Sequence, residues 1–190
     1  MALHDKLTVF QVLKHIPVLQ PVVRTFFDRQ TPALHKEIMG LHFSNPVGVA
    51  AGLDKKGEFT DVIDCFSPSF IEIGPLRDVR SAISNLQDRS SDMVVMANLS
   101  NSQNLERAFP LIYDFVDAIV LNISQGSSVS KVIDHLIELR RYNDEYKPVI
   151  FRLYPDLGPD QVDDVSKYML GSGIDGLIVG AEWLERMKEK

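Results

Sequence analysis

Apolar residues in most of this chain are gathered into six short runs: Pro46–Ala51, Ser69–Ile73, Met93–Leu99, Ala118–Ile123, Pro148–Leu153 and Gly176–Gly180. Each is too short for a buried helix and rich enough in Val, Ile and Leu to be covered on both faces, so the pattern predicts buried strands. Between the runs the spacing becomes helical. Glu58–Phe66 places Phe59, Val62, Ile63 and Phe66 on one side, and Lys131–Tyr142 does the same with Val132, Ile133, Leu136 and Leu139. Leu105–Phe115 is apolar along one side despite Pro110. Pro159–Leu170 begins with a proline suited to a first helical turn and stops at Gly171. Apolar strands alternating with amphipathic helices predict a parallel sheet covered by helices.

The strand runs recur about every 26 residues, a normal strand–helix repeat. A closed eight-unit barrel typically takes about 250 residues. The fold class expected is therefore α/β, an incomplete TIM-type barrel of about six parallel strands with flanking helices. Trp183–Lys190 reads as an amphipathic charged tail rather than a further strand.

Residues 1–39 carry a different pattern. Val9, Leu13 and Ile16, then Val22, Val23, Phe26 and Phe27, fall at helical spacing, with Pro17 and Pro21 separating the two pieces and Gln30–Pro32 forming a turn. The division expected is a helical appendage over 1–39 and a barrel domain over 40–190. The apolar face within residues 19–27 has two readings. One is packing on its own domain, the ordinary fate of an amphipathic helix. The other is contact with a lipid surface or a partner.

Composition narrows the classes. With 45% hydrophobic and 24% charged residues, the chain is ordinary for a soluble globular protein and unlike a disordered or coiled-coil one. Lys and Arg number 20 against 26 Asp and Glu, a net charge of −6, which argues against nucleic acid as a partner. The single cysteine, Cys65, excludes an intramolecular disulfide. No apolar run approaches the length of a membrane span, and the first residues lack the basic-then-apolar order of a secretory signal, so a cytoplasmic location is expected.

Isolated candidates have bland readings. The histidines at 4, 15, 35, 42 and 135 lack metal-ligand spacing, and no metal site is expected. Cys65, between Asp64 and Phe66, reads as a core or boundary residue. Asp54 beside Lys55 reads as a turn or cap group. Arg140 and Arg141 with Asp144 and Glu145 read as a solvated helix end. No Walker, Rossmann or zincin spacing is present.

The segment His42–Gly57, with Ala50-Ala51-Gly52-Leu53-Asp54-Lys55 at its centre, resembles the first barrel strand of dihydroorotate dehydrogenases, and in particular the membrane-associated, quinone-linked class. Ile71-Glu72-Ile73-Gly74, Ala97-Asn98-Leu99, Leu121-Asn122-Ile123-Ser124, Tyr154-Pro155-Asp156-Leu157 and Gly173–Ile178 resemble the family's later motifs in the same order. The resemblance implies a TIM barrel holding FMN at its C-terminal mouth and oxidation of dihydroorotate to orotate in pyrimidine biosynthesis. It implies cofactor contacts at Ala51, Gly52, Asn98, Asn122 and Arg152, and substrate contacts at Lys55 and Asn122. Small residues such as Ala51 and Gly52 let a flat ring approach the backbone. A lysine at the mouth can neutralise a carboxylate, and strand-end amides can meet ring edges.

The same comparison brings out departures. The family's base, a Ser or a Cys, falls at Gln125, followed by Gly126 and Ser127 in place of Pro and Asn. A glutamine amide has no useful basicity near neutral pH. The family's flavin-contacting lysine falls at Arg152, which keeps the charge in a bulkier, forked group. The Asn-Thr pair after the sixth strand falls at Gly180 and Ala181, and Asp78–Asp92 has no equivalent of the family's Asn-rich loop. The FMN phosphate in this family rests after strands seven and eight, which the run count does not reach. The expectation is a dihydroorotate dehydrogenase-like protein without catalysis and without bound FMN, Lys55, Asn98 and Asn122 surviving as structural residues. A homodimer, or the N-terminal helices, would cover the open barrel edge. The alternative is an active flavoenzyme completed by oligomerisation or another subunit.

Overall fold

The computed structural model describes residues 3–27, 32–100, 105–122, 129–143, 145–153 and 159–179. Two helices come first, α1 (Leu3–His15) and α2 (Gln20–Phe27), joined by a 3-10 turn at Pro17–Leu19. A small hairpin follows, β1 (Lys36–Ile38) and β2 (Leu41–Phe43), then β3 (Gly48–Val49), α3 (Thr60–Asp64), β4 (Phe70–Ile73), α4 (Val79–Leu86) and β5 (Val94–Ser100). The remaining elements are α5 (Leu105–Ile112), β6 (Ala118–Asn122), α6 (Val129–Arg141), β7 (Val149–Leu153), α7 (Pro159–Ser172) and β8 (Gly176–Val179).

The six expected strands are all present. They form one parallel sheet in the order β3-β4-β5-β6-β7-β8. Each strand pairs with the next in sequence and the order never reverses. That is the arrangement of a barrel wall and not of a doubly wound sheet, which changes direction at a switch point. The architecture is a curled half-barrel with helices outside.

Side-chain alternation builds two cores from the one sheet. Ile71, Ile73, Val95, Leu99, Ile119, Leu121, Val149 and Phe151 face outward into the main cluster, against Leu86 of α4, Phe109 and Ile112 of α5 and Ile133 and Leu136 of α6. Each fully buried side chain of this size contributes about 1.5–3 kcal/mol, so this layer dominates the folding energy. Phe70, Val94, Met96, Ala118, Val120 and Ile150 face inward and meet Phe43 and Leu41 of the hairpin. These inward residues lie toward the strand N-termini, so the hairpin plugs the bottom of the half-barrel.

Three sequence expectations change here. Residues 36–38 are not helical. Met39 and Gly40, both at positive φ (55° and 76°), make a two-residue turn that pairs Ile38 with Leu41, so a hairpin spans positions 39 and 40. Within 78–92, where no element was expected, Asp78 caps α4 by accepting from the backbone N–H groups of Arg80 and Ser81. Arg140 is not solvated. It is 9% exposed and donates to the carboxylate of Asp175 at 2.6 Å and the Gly173 carbonyl at 2.8 Å. Arg141 and Glu145 are exposed, and Asp144 lies outside the described residues.

The N-terminal helices dock on the outside of the wall. Phe10 packs on Phe59 and Phe66 with ring centroids 5.9 and 6.0 Å apart, and Phe27 packs on Phe66 at 5.0 Å. Lys14 pairs with Glu58 and Arg24 with Asp64. Val22 and Phe26 nonetheless stay exposed. Among the described residues no helix is long and apolar enough to cross a membrane.

Candidate functional site

The inner face changes character along the strands. Two residues beyond Phe70 on β4 is Glu72; two beyond Met96 on β5 is Asn98; two beyond Val120 on β6 is Asn122; two beyond Ile150 on β7 is Arg152. Because side chains alternate, all four share the inner face, toward the C-terminal mouth. Hydrophobic residues below them and polar ones above make a concave polar mouth over a dry floor.

Glu72 is the centre of this group and is 3% exposed. Its Oε1 accepts from Asn98 Nδ2 at 2.5 Å, and its Oε2 accepts from the Arg152 guanidinium. A carboxylate this buried requires a cation and hydrogen bonds together, and it has both. The sequence reading did not select Glu72 as a site residue. The signal was present: an acidic residue in an apolar strand run, on the same face as Phe70.

Two acceptors at the mouth have no partner among the described residues, Asn98 Oδ1 and Asn122 Oδ1. For Asn98 the assignment is fixed, since its amide nitrogen is committed to Glu72. Gly52 has φ +107°, a region that favours glycine, and a Cβ built there would meet nothing within 4 Å. The rim is laced by backbone bonds: Gly52 N to Gly74 O at 2.7 Å, Gly74 N to Asp54 O at 2.8 Å and Leu76 N to Asn98 O at 3.0 Å.

Of the sequence-selected residues, Asn98 and Arg152 are brought together through Glu72, and Asn122 shares their face. Ala51 and Gly52 lie at the strand end of β3, half-buried. Lys55 is exposed on the loop after β3 and stands outside the Glu72 cluster. Asp54 is buried and accepts from the backbone N–H groups of Lys56, Glu58 and Phe59, a loop-organising role as read. Cys65 is buried at the end of α3, and burial pushes its thiol pKa up. No group of metal-ligating side chains occurs among the described residues. Gln125, Gly126, Ser127, Tyr154–Leu157, Gly180, Ala181 and Trp183–Lys190 lie outside the described residues.

A flavin ring would meet a mixed reception. The open space over Gly52 and the unpartnered amide oxygens of Asn98 and Asn122 suit a flat ring bearing an N–H donor. The guanidinium of Arg152 does not suit it, because Glu72 already holds that charge.

Parallel strands in sequential order, helices outside and a polar mouth at the strand C-termini define an α/β barrel-type protein. No family model matches the chain. In sequence it is 25% identical to the dihydroorotate dehydrogenase (quinone) of Aeromonas hydrophila, over 92% of this chain and 68% of that protein. It is 24% identical to the protein of the same name from Vibrio vulnificus, over 85% of this chain and 64% of that protein. In fold it matches the crystal structure of DHODH from Eimeria tenella in complex with ferulenol, with a TM-score of 0.68, 18% identity and coverage of 87% of this chain and 65% of that chain. The ligand-free DHODH from the same organism gives a TM-score of 0.69, 16% identity and coverage of 85% and 68%. The chain is a relative of the dihydroorotate dehydrogenases, and it spans about two thirds of the length of these relatives.

Proposed function

We propose that this chain is a dihydroorotate dehydrogenase-like protein that neither oxidises dihydroorotate nor retains FMN. The observation that carries the proposal is the commitment of Glu72 to Arg152 and Asn98. The family reaction oxidises dihydroorotate to orotate on FMN and needs a side chain that takes a proton. The family's base falls at Gln125, whose amide does not accept a proton near neutral pH. The cation at the flavin-contacting position is neutralised internally, so it offers little net charge to a cofactor.

The absorption spectrum of the purified protein tests this, before and after incubation with FMN. The expected result is a colourless protein that keeps no flavin through gel filtration and shows no dihydroorotate-dependent change. A yellow protein bleached by dihydroorotate would overturn the proposal.

One observation favours a second reading, an active flavoenzyme completed by another chain. The two unpartnered amide oxygens at the mouth are acceptors waiting for a donor, and a ring N–H would supply one. In that case Asn98 and Asn122 would hold the ring edge, and the cofactor would supply hydride-accepting chemistry there. Bleaching that appears only in the host extract, or with a second polypeptide present, would establish it.

A partner proposal follows from the sheet. β3 and β8 are its outer strands among the described residues. Two copies would cover these edges by parallel pairing, since an exposed strand edge seeks another strand. Sedimentation equilibrium giving a monomer would count against this.

A further inference from the structure

On the outer surface of the wall, α4 and α5 enclose an open groove of about 430 Å³. Arg77, Asp78 and Arg80 at the start of α4 and Arg107 in the first turn of α5 form its charged side, over Val79, Ala108 and Leu111. None of these residues belongs to the Glu72 cluster, which occupies the inner face of the sheet. We propose that this groove binds a small phosphomonoester whose body is apolar or aromatic.

Positive charge is concentrated here. Three guanidiniums against one carboxylate give the lining a net charge of +2, in a chain whose net charge is −6. Elsewhere Arg24, Arg89, Arg140 and Arg152 each hold a carboxylate. Arg77 and Arg80 are exposed and have no acidic partner among the described residues. Asp78, between them, is turned to the backbone: its Oδ1 accepts from the N–H groups of Arg80 and Ser81 at 3.1 and 3.3 Å. Those bonds occupy the N-terminus of α4, so the guanidiniums, and not the helix end, are what remains to receive an anion. A recess lined by one sign of charge focuses the potential and gathers counter-ions.

The lining selects the chemistry. A phosphomonoester carries a charge of about −1.5 to −2 at pH 7 and three strong acceptor oxygens. It matches the net charge of the groove and can take paired N–H bonds from Arg77 and Arg80, with Arg107 adding charge. A carboxylate brings less charge and fewer oxygens. The floor selects the body of the ligand. Val79 and Ala108 are buried in the main cluster, whereas Leu111 is 41% exposed and stands one turn along α5 from Arg107. A ligand with its phosphate among the arginines reaches Leu111 with the group it carries, and covering that side chain adds apolar burial that inorganic phosphate lacks. The volume is ordinary for a small-ligand site.

The test is titration of the full chain followed by amide NMR, with phenyl phosphate as probe and inorganic phosphate and benzyl alcohol as comparisons. The expected result is a saturable shift of amides in 77–80 and 107–111 with phenyl phosphate, a several-fold weaker one with inorganic phosphate and none with benzyl alcohol. In the double variant Arg77→Gln with Arg80→Gln the affinity for phenyl phosphate falls about tenfold or more, the loss of charge-assisted hydrogen bonds. Leu111→Gln is expected to weaken phenyl phosphate about twofold to threefold and to leave inorganic phosphate unchanged. Arg141→Gln, at an exposed arginine on α6 away from the groove, is expected to change neither. Shifts that do not saturate, equal affinity in the double variant, or an equal loss in Arg141→Gln overturn the proposal, the last by showing diffuse charge in place of a site. Capture of the chain by phosphatidylglycerol vesicles without a response to phenyl phosphate overturns it as well, by making the groove a lipid-headgroup surface. The groove gives no dihydroorotate-dependent bleaching, and weak binding there does not survive gel filtration. Failure here and failure of the proposed function are therefore separable.

Discussion

Glu72 on β4 and Arg152 on β7 are ion-paired across the inner face of the sheet, with β5 and β6 between them. The Glu72 side chain is 4% exposed and that of Arg152 is 25% exposed. The pair ties together strands that have no direct ladder between them. Removing one partner strands the other, so Arg152→Ala is expected to cost about 3 kcal/mol, most of it the penalty of an unpaired buried carboxylate. Replacing both residues by apolar ones of similar size, Glu72→Leu with Arg152→Met, is expected to cost far less. Urea unfolding of the single and double variants checks this; equal losses in both would show that packing, not charge, is at stake.

Arg140 and Asp175 form the corresponding pin between α6 and the entry to β8. Arg140 also donates to the Gly173 carbonyl, and Asp175 also accepts from Val149 N and from the Tyr146 hydroxyl. Arg140→Met is expected to destabilise by about 3–5 kcal/mol, because it leaves a mostly buried Asp175 without its cation. Arg141→Met, at the exposed neighbour, is expected to change stability by less than about 0.5 kcal/mol. Thermal and urea denaturation of the two variants side by side separate the cases.

Alkaline pH should weaken the fold through tyrosines. Burial first, and then hydrogen bonds to Asp134 and Asp175, push the hydroxyl pKa values of Tyr168 and Tyr146 above the ordinary 10.0. Groups raised in the folded state contribute stability that is complete below the unfolded value and is lost as pH rises through the folded one. Stability is therefore expected to be insensitive to these groups from pH 7 to 9 and to fall from about pH 10 upward. Tyr168→Phe should flatten that fall. The same slope in the variant, measured by urea midpoints, would remove Tyr168 as its cause.

Cys65 is 1% exposed, and burial raises its thiol above the ordinary 9.0. Thiol reagents attack the thiolate, so both factors slow the reaction. Labelling at pH 8 is expected to run on the order of a hundredfold slower in the native protein than in denaturant. Prompt labelling of the native protein would show that α3 and the helices packed on it open readily.

Hydrophobic periodicity alone located the six parallel strands and most of the helices, since runs such as Met93–Leu99 have no other way to bury themselves. The order of the motifs came from the resemblance to a known family, and Asp54 beside Lys55 was legible from its residue type as a turn or cap group. The hairpin at 36–43 was not legible, because two three-residue strands carry too little periodicity. α4 was missed for a related reason: its cap Asp78 and inner residues Ala82 and Leu86 form a single short stripe. Arg140 was read as solvated because two arginines near acidic residues look like a surface. Its partner Asp175 is 35 positions away in the chain.

By itself, then, the sequence determined which segments become strands, which faces of the helices are apolar and which family's motifs the chain carries, all of them properties of neighbours along the chain. Only the tertiary structure decided that Glu72 binds Arg152 and Asn98, and that Arg140 is buried. It also left the Ser69 hydroxyl buried and without a hydrogen-bond partner among the described residues. Charges and hydroxyls acquire their roles from groups brought near through the curling of the sheet, and that proximity has no signature in local order.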